Sequence, residues 1–148
     1  MKFKTMILTF LISILIFNFI SCSNKKINFD DTRSYSDKIT NDILISINDL
    51  DYNGFIKNFD ENMKEISSNE TEFLNLVMPI KGAIGTYEDG SLEFVQGKKS
   101  KDFTSIIYKA KFSNEVEPVN ISISFDEKNH KVSGLYFNSP KIKELYSK

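Results

Sequence analysis

Histidine and cysteine, which supply much of enzyme chemistry, occur once each in this 148-residue chain, as His130 and Cys22. His130 falls in a charged segment, 126–130, that joins two predicted strands, so a solvated side chain is expected there. A Ser/His/Asp or Cys/His catalytic set cannot be built around these two residues, and a zinc site would lack its usual ligands. The sequence therefore predicts no catalytic residues, no metal site and no cofactor.

Asp60 is the carboxylate of greatest chemical interest. It directly follows Phe59 in an apolar segment of helical spacing, close to the predicted space between helices and sheet. A carboxylate in an apolar cavity can serve as a general base. The commoner role is to cap a helix by accepting a hydrogen bond from a backbone N–H. A small enzyme that uses Asp60 as its base is one hypothesis, and a structural cap is the other.

The charge of the chain excludes one class of partner. Nineteen Lys and Arg residues stand against twenty Asp and Glu, for a formal net charge of −1, so no basic face for a nucleic acid is predicted. Three lysines do cluster in one predicted hairpin loop, namely Lys98, Lys99 and Lys101. This loop could bind an anionic polymer of the cell envelope, but a solvated hairpin tip is the simpler interpretation.

The start of the chain has the layout of a secretory signal peptide. Lys2 and Lys4 precede an apolar run over 6–20, which is followed by Ser21 and Cys22. This order of cationic start, apolar middle and small residue predicts a signal peptide over 1–21. A cysteine directly after the small residue resembles a bacterial lipobox. The resemblance implies that Cys22 becomes the mature N-terminus and carries a diacylglyceryl thioether with fatty acyl chains such as palmitate.

Two alternatives to the lipobox are an uncleaved membrane helix and plain secretion. The apolar run over 6–20 is shorter than the roughly 20 residues that span a bilayer. With a single cysteine, no disulfide can form within the chain. The expected location is therefore the cell membrane on its extracytoplasmic side, with a lipid anchor at Cys22 and a short polar tether over 22–33.

Three amphipathic helices are predicted after the tether, because apolar residues recur at helical spacing. The first helix is predicted over 34–49 and the second over 55–66, with Phe59 and Met63 on its buried face. The third begins near Glu70, after a turn with two capping-box spacings, and ends at Gly82 or Gly85.

After Gly85 the apolar period changes from helical to two, which indicates strands. The clearest strand covers 119–125, and others are predicted around Phe94, over 105–112 and over 132–137. Four sequential strands on short connections should form an antiparallel meander. Since the sheet needs a cover on its apolar face and the helices precede it, the sequence predicts an α+β domain.

The order of three helices and a four-stranded curved antiparallel sheet resembles the cystatin-like, nuclear-transport-factor-2-like fold. Local patterns sharpen the resemblance to a family of small bacterial lipoproteins and extracytoplasmic domains of unknown function. These patterns are Phe59-Asp60 followed by Met63-Lys64, Gly85 before Tyr87, and Phe125-Asp126 leading to the segment 133–137. The resemblance covers 34–137 and leaves 138–148 as a C-terminal tail.

The resemblance implies a concave sheet whose pocket holds a small apolar or amphipathic ligand, or whose face meets a protein partner or a second copy of the chain. The candidate pocket residues are Phe59, Asp60, Met63, Phe94, Tyr108 and Phe112. The predicted function is a non-catalytic binding or interaction module on a membrane-tethered lipoprotein. The alternatives are the small enzyme with Asp60 as base and an envelope protein that binds anionic polymer.

Overall fold

The computed structural model describes residues 28–147 and shows an α+β fold with one four-stranded antiparallel sheet. The predicted signal peptide over 1–21 and the predicted lipidation site at Cys22 lie outside the described residues. The helices are α1 (Asp30–Asp49), α2 (Tyr52–Ile56), α3 (Glu61–Ile66), α4 (Glu70–Ile84) and α5 (Pro140–Tyr146). The strands are β1 (Glu93–Lys99), β2 (Phe103–Ala110), β3 (Val119–Asp126) and β4 (Val132–Asn138).

The sheet is the predicted antiparallel meander, with strand order β1-β2-β3-β4. In β3, buried apolar residues alternate with half-buried polar ones along the whole strand. Neighbouring side chains on a strand point to opposite faces. The helices therefore cover one face of the sheet, while the polar residues of β3 lie on the other face.

The core between helices and sheet is rich in phenylalanine. Phe55 of α2 packs edge-on against Phe59 at 4.7 Å between ring centroids, and lies 4.9 Å from Phe73 of α4. All three side chains are buried, as are Ile121 and Ile123 of β3. The ring contacts join α2, the segment after it and α4 to one another, and aromatic pairs of this kind stabilise a core beyond the area that they bury.

The prediction of a single helix over 55–66 is wrong, because the segment forms the two short helices α2 and α3. Between them, Phe59 makes a parallel bridge with Val132 of β4. The N–H of Asp60 donates to the carbonyl of Val132 at 2.9 Å, and the N–H of Val132 donates to Asn58 at 2.8 Å. These bonds hold the chain extended at the point where a continuous helix would require helical bonds. Four helices, rather than three, thus precede the sheet in the described chain.

The first helix begins earlier than predicted, at Asp30. Residues 30–33, which the sequence places in the tether, are helical, and Thr32 is buried. A contact with the sheet holds the start of this helix in place. The ring centroids of Phe29, directly before the helix, and Phe94 of β1 lie 6.0 Å apart. Gly97 of β1 lies beneath the Phe29 ring, and a Cβ at this position would collide with that ring. The first residues of the described chain are therefore held against β1.

The predicted C-terminal tail contains a helix, α5, that packs against α4 and β4. Its start is capped by Ser139, whose hydroxyl accepts a hydrogen bond from the N–H of Ile142 at 3.2 Å. Pro140 at the first helical position suits a helix start, because this position needs no N–H donor. Ile142 is buried, so the domain extends beyond the predicted boundary at residue 137.

Candidate functional site

Three of the predicted pocket residues fill the core or lie at its border. Tyr108 is only 1% exposed, and its hydroxyl donates to Asp37 Oδ1 at 2.6 Å. Burial, together with the Asp37 carboxylate, raises the pKa of the Tyr108 hydroxyl above its ordinary value. Phe112 is buried against Phe137, and Phe94 is half-buried beside Tyr108. These three aromatic side chains join the sheet to the helices.

Asp60 is a helix cap. Its Oδ1 accepts a hydrogen bond from the N–H of Met63 at 2.8 Å, which satisfies one of the free donors at the start of α3. The residue is half-buried. Its neighbour Phe59 is instead buried in the apolar core. The side chains of Phe59 and Asp60 therefore lie in different parts of the structure.

An apolar cleft of about 230 Å³ opens between α3, α4 and β4. Of the six predicted pocket residues, Met63 is the one that lines it. Among the described residues no charged or hydrogen-bonding side chain borders the cleft, and its lining residues are Ile47, Phe55, Met63, Ile66, Leu76, Val77, Ile80, Gly134, Leu135 and Phe137. A concave apolar surface of this kind is typical of sites that take small molecules or apolar side chains.

A second cleft of about 120 Å³ adjoins the first and extends it towards α5. The two clefts share the lining residues Leu76, Ile80, Leu135 and Phe137. The second is also lined by Tyr136, Ile142 and Tyr146. We call the two clefts together the apolar trough.

Large apolar side chains rim the trough and remain open to solvent. Ile66 of α3 is 60% exposed, and Tyr136 of β4 is 59% exposed. Sequence periodicity predicts Met63 and Ile66 in one buried stripe, which is wrong for Ile66 because its side chain is exposed. It could not identify the trough, because Leu76 and Leu135 come together only after α4 folds against β4. The contribution of α5 was missed since no helix was predicted there.

A separate polar groove of about 500 Å³ lies on the uncovered face of the sheet. It is lined by Asp60, Asn62, Lys98, Ser100, Phe103, Ser105, Ser124 and Ser133. The hydroxyls of Ser105 and Ser124, which face each other across β2 and β3, lie 2.8 Å apart. The groove therefore has one negatively charged side chain, Asp60, and one positively charged side chain, Lys98, so its lining contains charges of both signs.

The prediction that Lys98, Lys99 and Lys101 share one hairpin loop is wrong for the first two, which end strand β1, while Lys101 lies in the turn that follows. Each of the two strand lysines shares an ion pair or a groove with an acidic side chain. Lys99 Nζ lies 3.0 Å from Glu127 Oε2. Hydrogen bonds from the Thr104 hydroxyl and from Lys99 lower the pKa of the Glu127 carboxyl below its ordinary value. Lys98 lines the polar groove, in which Asp60 supplies the opposite charge.

His130 lies at an exposed turn after β3. Its backbone φ of 56° is in the left-handed region, and its ring stacks on that of Tyr35 at 4.1 Å between centroids. Stacking on an aromatic ring, in an exposed turn, is a structural role for this side chain.

Within residues 28–147 no group of three or more His, Cys, Asp and Glu side chains is arranged to hold a metal ion. No helix of that same range is long and apolar enough to span a bilayer. Comparison with protein-family models, curated proteins and solved structures gives no match to this chain.

Proposed function

We propose that this protein is a membrane-tethered extracytoplasmic lipoprotein whose α+β domain is a non-catalytic binding module. The observation that carries the proposal is the apolar trough between α3, α4, α5 and β4. We propose also that the domain belongs with the cystatin-like, nuclear-transport-factor-2-like domains of small bacterial lipoproteins. The order of helices followed by four sequential antiparallel strands supports this assignment.

The trough supports binding because exposed apolar area is unfavourable in water, at about 25 cal/mol per Å². Its rim adds Ile66 and Tyr136, whose side chains are largely exposed. Contiguous exposed apolar surface on a soluble domain commonly marks a place where a ligand or partner binds. The ligand expected here is apolar or amphipathic, since none of the residues within 28–147 that line the trough has a charged side chain.

Each alternative function has less geometric support. A general base at Asp60 would need an apolar cavity, whereas the Asp60 carboxylate caps α3 and borders a polar groove. Binding of an anionic polymer would need a basic surface, whereas Lys99 is paired with Glu127 and the polar groove contains Asp60.

The proposed anchor would leave the trough accessible. Cys22 and Phe29 are separated by a chain that reaches at most about 25 Å when fully extended, and Phe29 packs on β1. The trough lies along β4, and β1 and β4 are the two outer strands of the sheet. A lipid at Cys22 would therefore attach the domain through a tether that joins it beside β1 rather than beside β4, so the point of attachment does not cover the trough.

Binding can be tested with methionine methyl groups as reporters, because Met63 lines the trough and Met78 does not. We expect indole, added to ¹³C-methyl-methionine-labelled full chain in nanodiscs, to shift the Met63 methyl signal in a saturable way. The Met78 signal, from a side chain that is 50% exposed, should not follow it. Equal shifts at both methyl groups, or none at Met63, would contradict the proposal.

A further inference from the structure

The apolar trough follows the outer edge of β4. Gly134, Leu135 and Phe137 line its first cleft, and Leu135, Tyr136 and Phe137 line its second. Consecutive residues of a strand point their side chains to opposite faces. They can border one cleft together only along the flank of the strand, where the backbone N–H and C=O groups of an edge strand lie.

One end of this edge already pairs with another segment of the chain. Residues 58–60 bind Val132 in parallel through the bonds from Asp60 N–H to Val132 C=O and from Val132 N–H to Asn58 C=O. The chain then turns into α3 and leaves the edge. Within the described range of 28–147, the backbone of residues 134–138 is paired with β3 alone.

An unpaired strand edge beside apolar walls is suited to an extended peptide. The peptide backbone would pair with the edge, and its alternate side chains would enter the trough. Residues 134–138 offer an edge of about 13 Å at 3.3 Å per residue, which fits a segment of four or five residues. A hydrocarbon ligand would fill the trough but would leave the backbone donors and acceptors of the edge without partners.

The helices beside the edge disfavour a second copy of the chain as the occupant. Residues 58–60 and α3 stand at one end of the edge, where they contact β4. At the other end α5 contributes Ile142 and Tyr146 to the wall. The space between them suits a single strand better than the edge of another four-stranded sheet.

We infer that residues 134–138 bind an extended segment of a partner protein by strand addition, with apolar side chains at alternate positions placed in the trough. This inference rests on the proposed function and names the class of its ligand. The partner segment is expected to be apolar at every second residue and uncharged at those positions, because the lining that the described part of the chain gives the trough is uncharged.

The test uses the full chain in nanodiscs of uncharged phosphatidylcholine and fluorescein-labelled peptides of the form Lys-Val-Thr-Val-Thr-Val-Lys, with Leu or Phe versions at the Val positions. Fluorescence anisotropy should show saturable binding of at least one peptide, after subtraction of empty nanodiscs. Two N-methylated versions, methylated at the Val or at the Thr positions, probe the backbone. Since strand addition uses the N–H groups on one flank, one version should lose binding and the other should keep it.

Matched variants locate the site. Ile66→Lys places a charge at the rim and should weaken peptide binding at least tenfold, while Met78→Lys, at a similarly exposed position outside the trough, should leave it unchanged. Equal binding of both N-methylated peptides, equal effects of both variants, or no binding of any peptide would overturn the inference. So would a chain dimer that depends on the β4 edge and excludes the peptides. A Met63 response to indole without peptide binding would overturn the inference and leave the proposed function standing.

Discussion

The hydroxyl of Tyr108 ties the first helix to the middle of the sheet. It donates to Asp37 Oδ1 at 2.6 Å and lies 2.7 Å from the hydroxyl of Ser36, a buried residue. Asp37 is bound also by Arg33 at 3.0 Å, and the Arg33 guanidinium lies 5.1 Å from the centre of the Phe94 ring. Buried polar groups require such partners, because an unpaired one is costly. The aromatic residues of β1 and β2 thus serve the fold here.

We expect Tyr108→Phe to lower the free energy of unfolding by about 1 kcal/mol, because Asp37 and Ser36 lose a hydrogen-bond partner while the ring is kept. Urea unfolding followed by circular dichroism measures this change. Tyr136→Phe is the control, since the Tyr136 side chain is largely exposed, and its effect should stay within about 0.5 kcal/mol. Equal stability of the two variants would show that the buried hydroxyl contributes nothing.

Asp60 shows what a local pattern leaves open. The sequence is compatible with both a base and a cap, because both roles favour a carboxylate near apolar residues. The two roles differ in the direction in which the carboxylate of Asp60 points. In the structure it points to the start of α3, where it accepts a hydrogen bond from Met63 N–H. We expect Asp60→Ala to cost about 1 kcal/mol of stability and Asp60→Asn to cost little, since asparagine caps helices as well as aspartate does.

Thermal unfolding of the two Asp60 variants, in parallel, measures this difference. An Asp60→Asn protein as unstable as Asp60→Ala would contradict the capping role. Loss of a cellular function in a stably folded Asp60→Asn protein would instead favour the general-base alternative.

At the scale of elements, local periodicity was sufficient where an element pairs with its sequence neighbours. The strands of the meander follow one another, so alternation within each strand and short connections predict the sheet correctly. The cap of α4 was also predicted, because Asn69 and Glu72 have the spacing of a capping box. In the structure Asn69 Oδ1 accepts a hydrogen bond from Glu72 N–H at 3.0 Å. Both features depend on residues close together in the chain.

Elements that depend on distant residues could not be predicted in this way. The break between α2 and α3 occurs where Phe59 pairs with Val132, a distant residue that local periodicity does not reveal. The one local signal is Asp60, a helix-cap residue directly before α3. The short helix α5 has one buried residue, Ile142, too few for a helical period to be recognised. The trough was missed for the same reason, as its walls come from both of these regions.

We expect Ile142→Ala to destabilise the protein by roughly 2–5 kcal/mol, the range for large-to-small substitutions in a core. Ile142 is buried, and α5 packs on α4 and β4 through it. Leu145→Ala in the same helix is the matched control, because Leu145 is exposed. Urea midpoints for the two variants provide the comparison, and a loss for Leu145→Ala as large as that for Ile142→Ala would argue against this docking.

At the scale of the whole molecule, the two edges of the sheet differ. A bulge in β1 between Phe94 and Gln96 interrupts its regular pairing, and its end carries Lys98 and Lys99. Bulges and lysines on edge strands oppose pairing with another chain. In β4 the bulge opposite Ser124 and Phe125 lies before the trough, and residues 134–138 contain no lysine. Within residues 28–147, the β4 edge is thus the one without these features at its outer flank, and it is the edge opposite the strand on which Phe29 packs.

The proposed attachment to the membrane depends on a lipid at Cys22, which gives the last prediction. In a bacterial host, the wild-type chain should partition into the detergent phase of a Triton X-114 extract, and mass spectrometry of its N-terminal peptide should show acyl chains on Cys22. Cys22→Ala removes the thiol that the proposed thioether requires, so this variant should appear in the aqueous phase or keep residues 1–21 uncleaved. Ser23→Ala leaves the thiol in place and should behave as the wild type. A Cys22→Ala protein that is cleaved and still partitions into detergent would show that the attachment is independent of this cysteine, and would contradict the proposed lipid anchor.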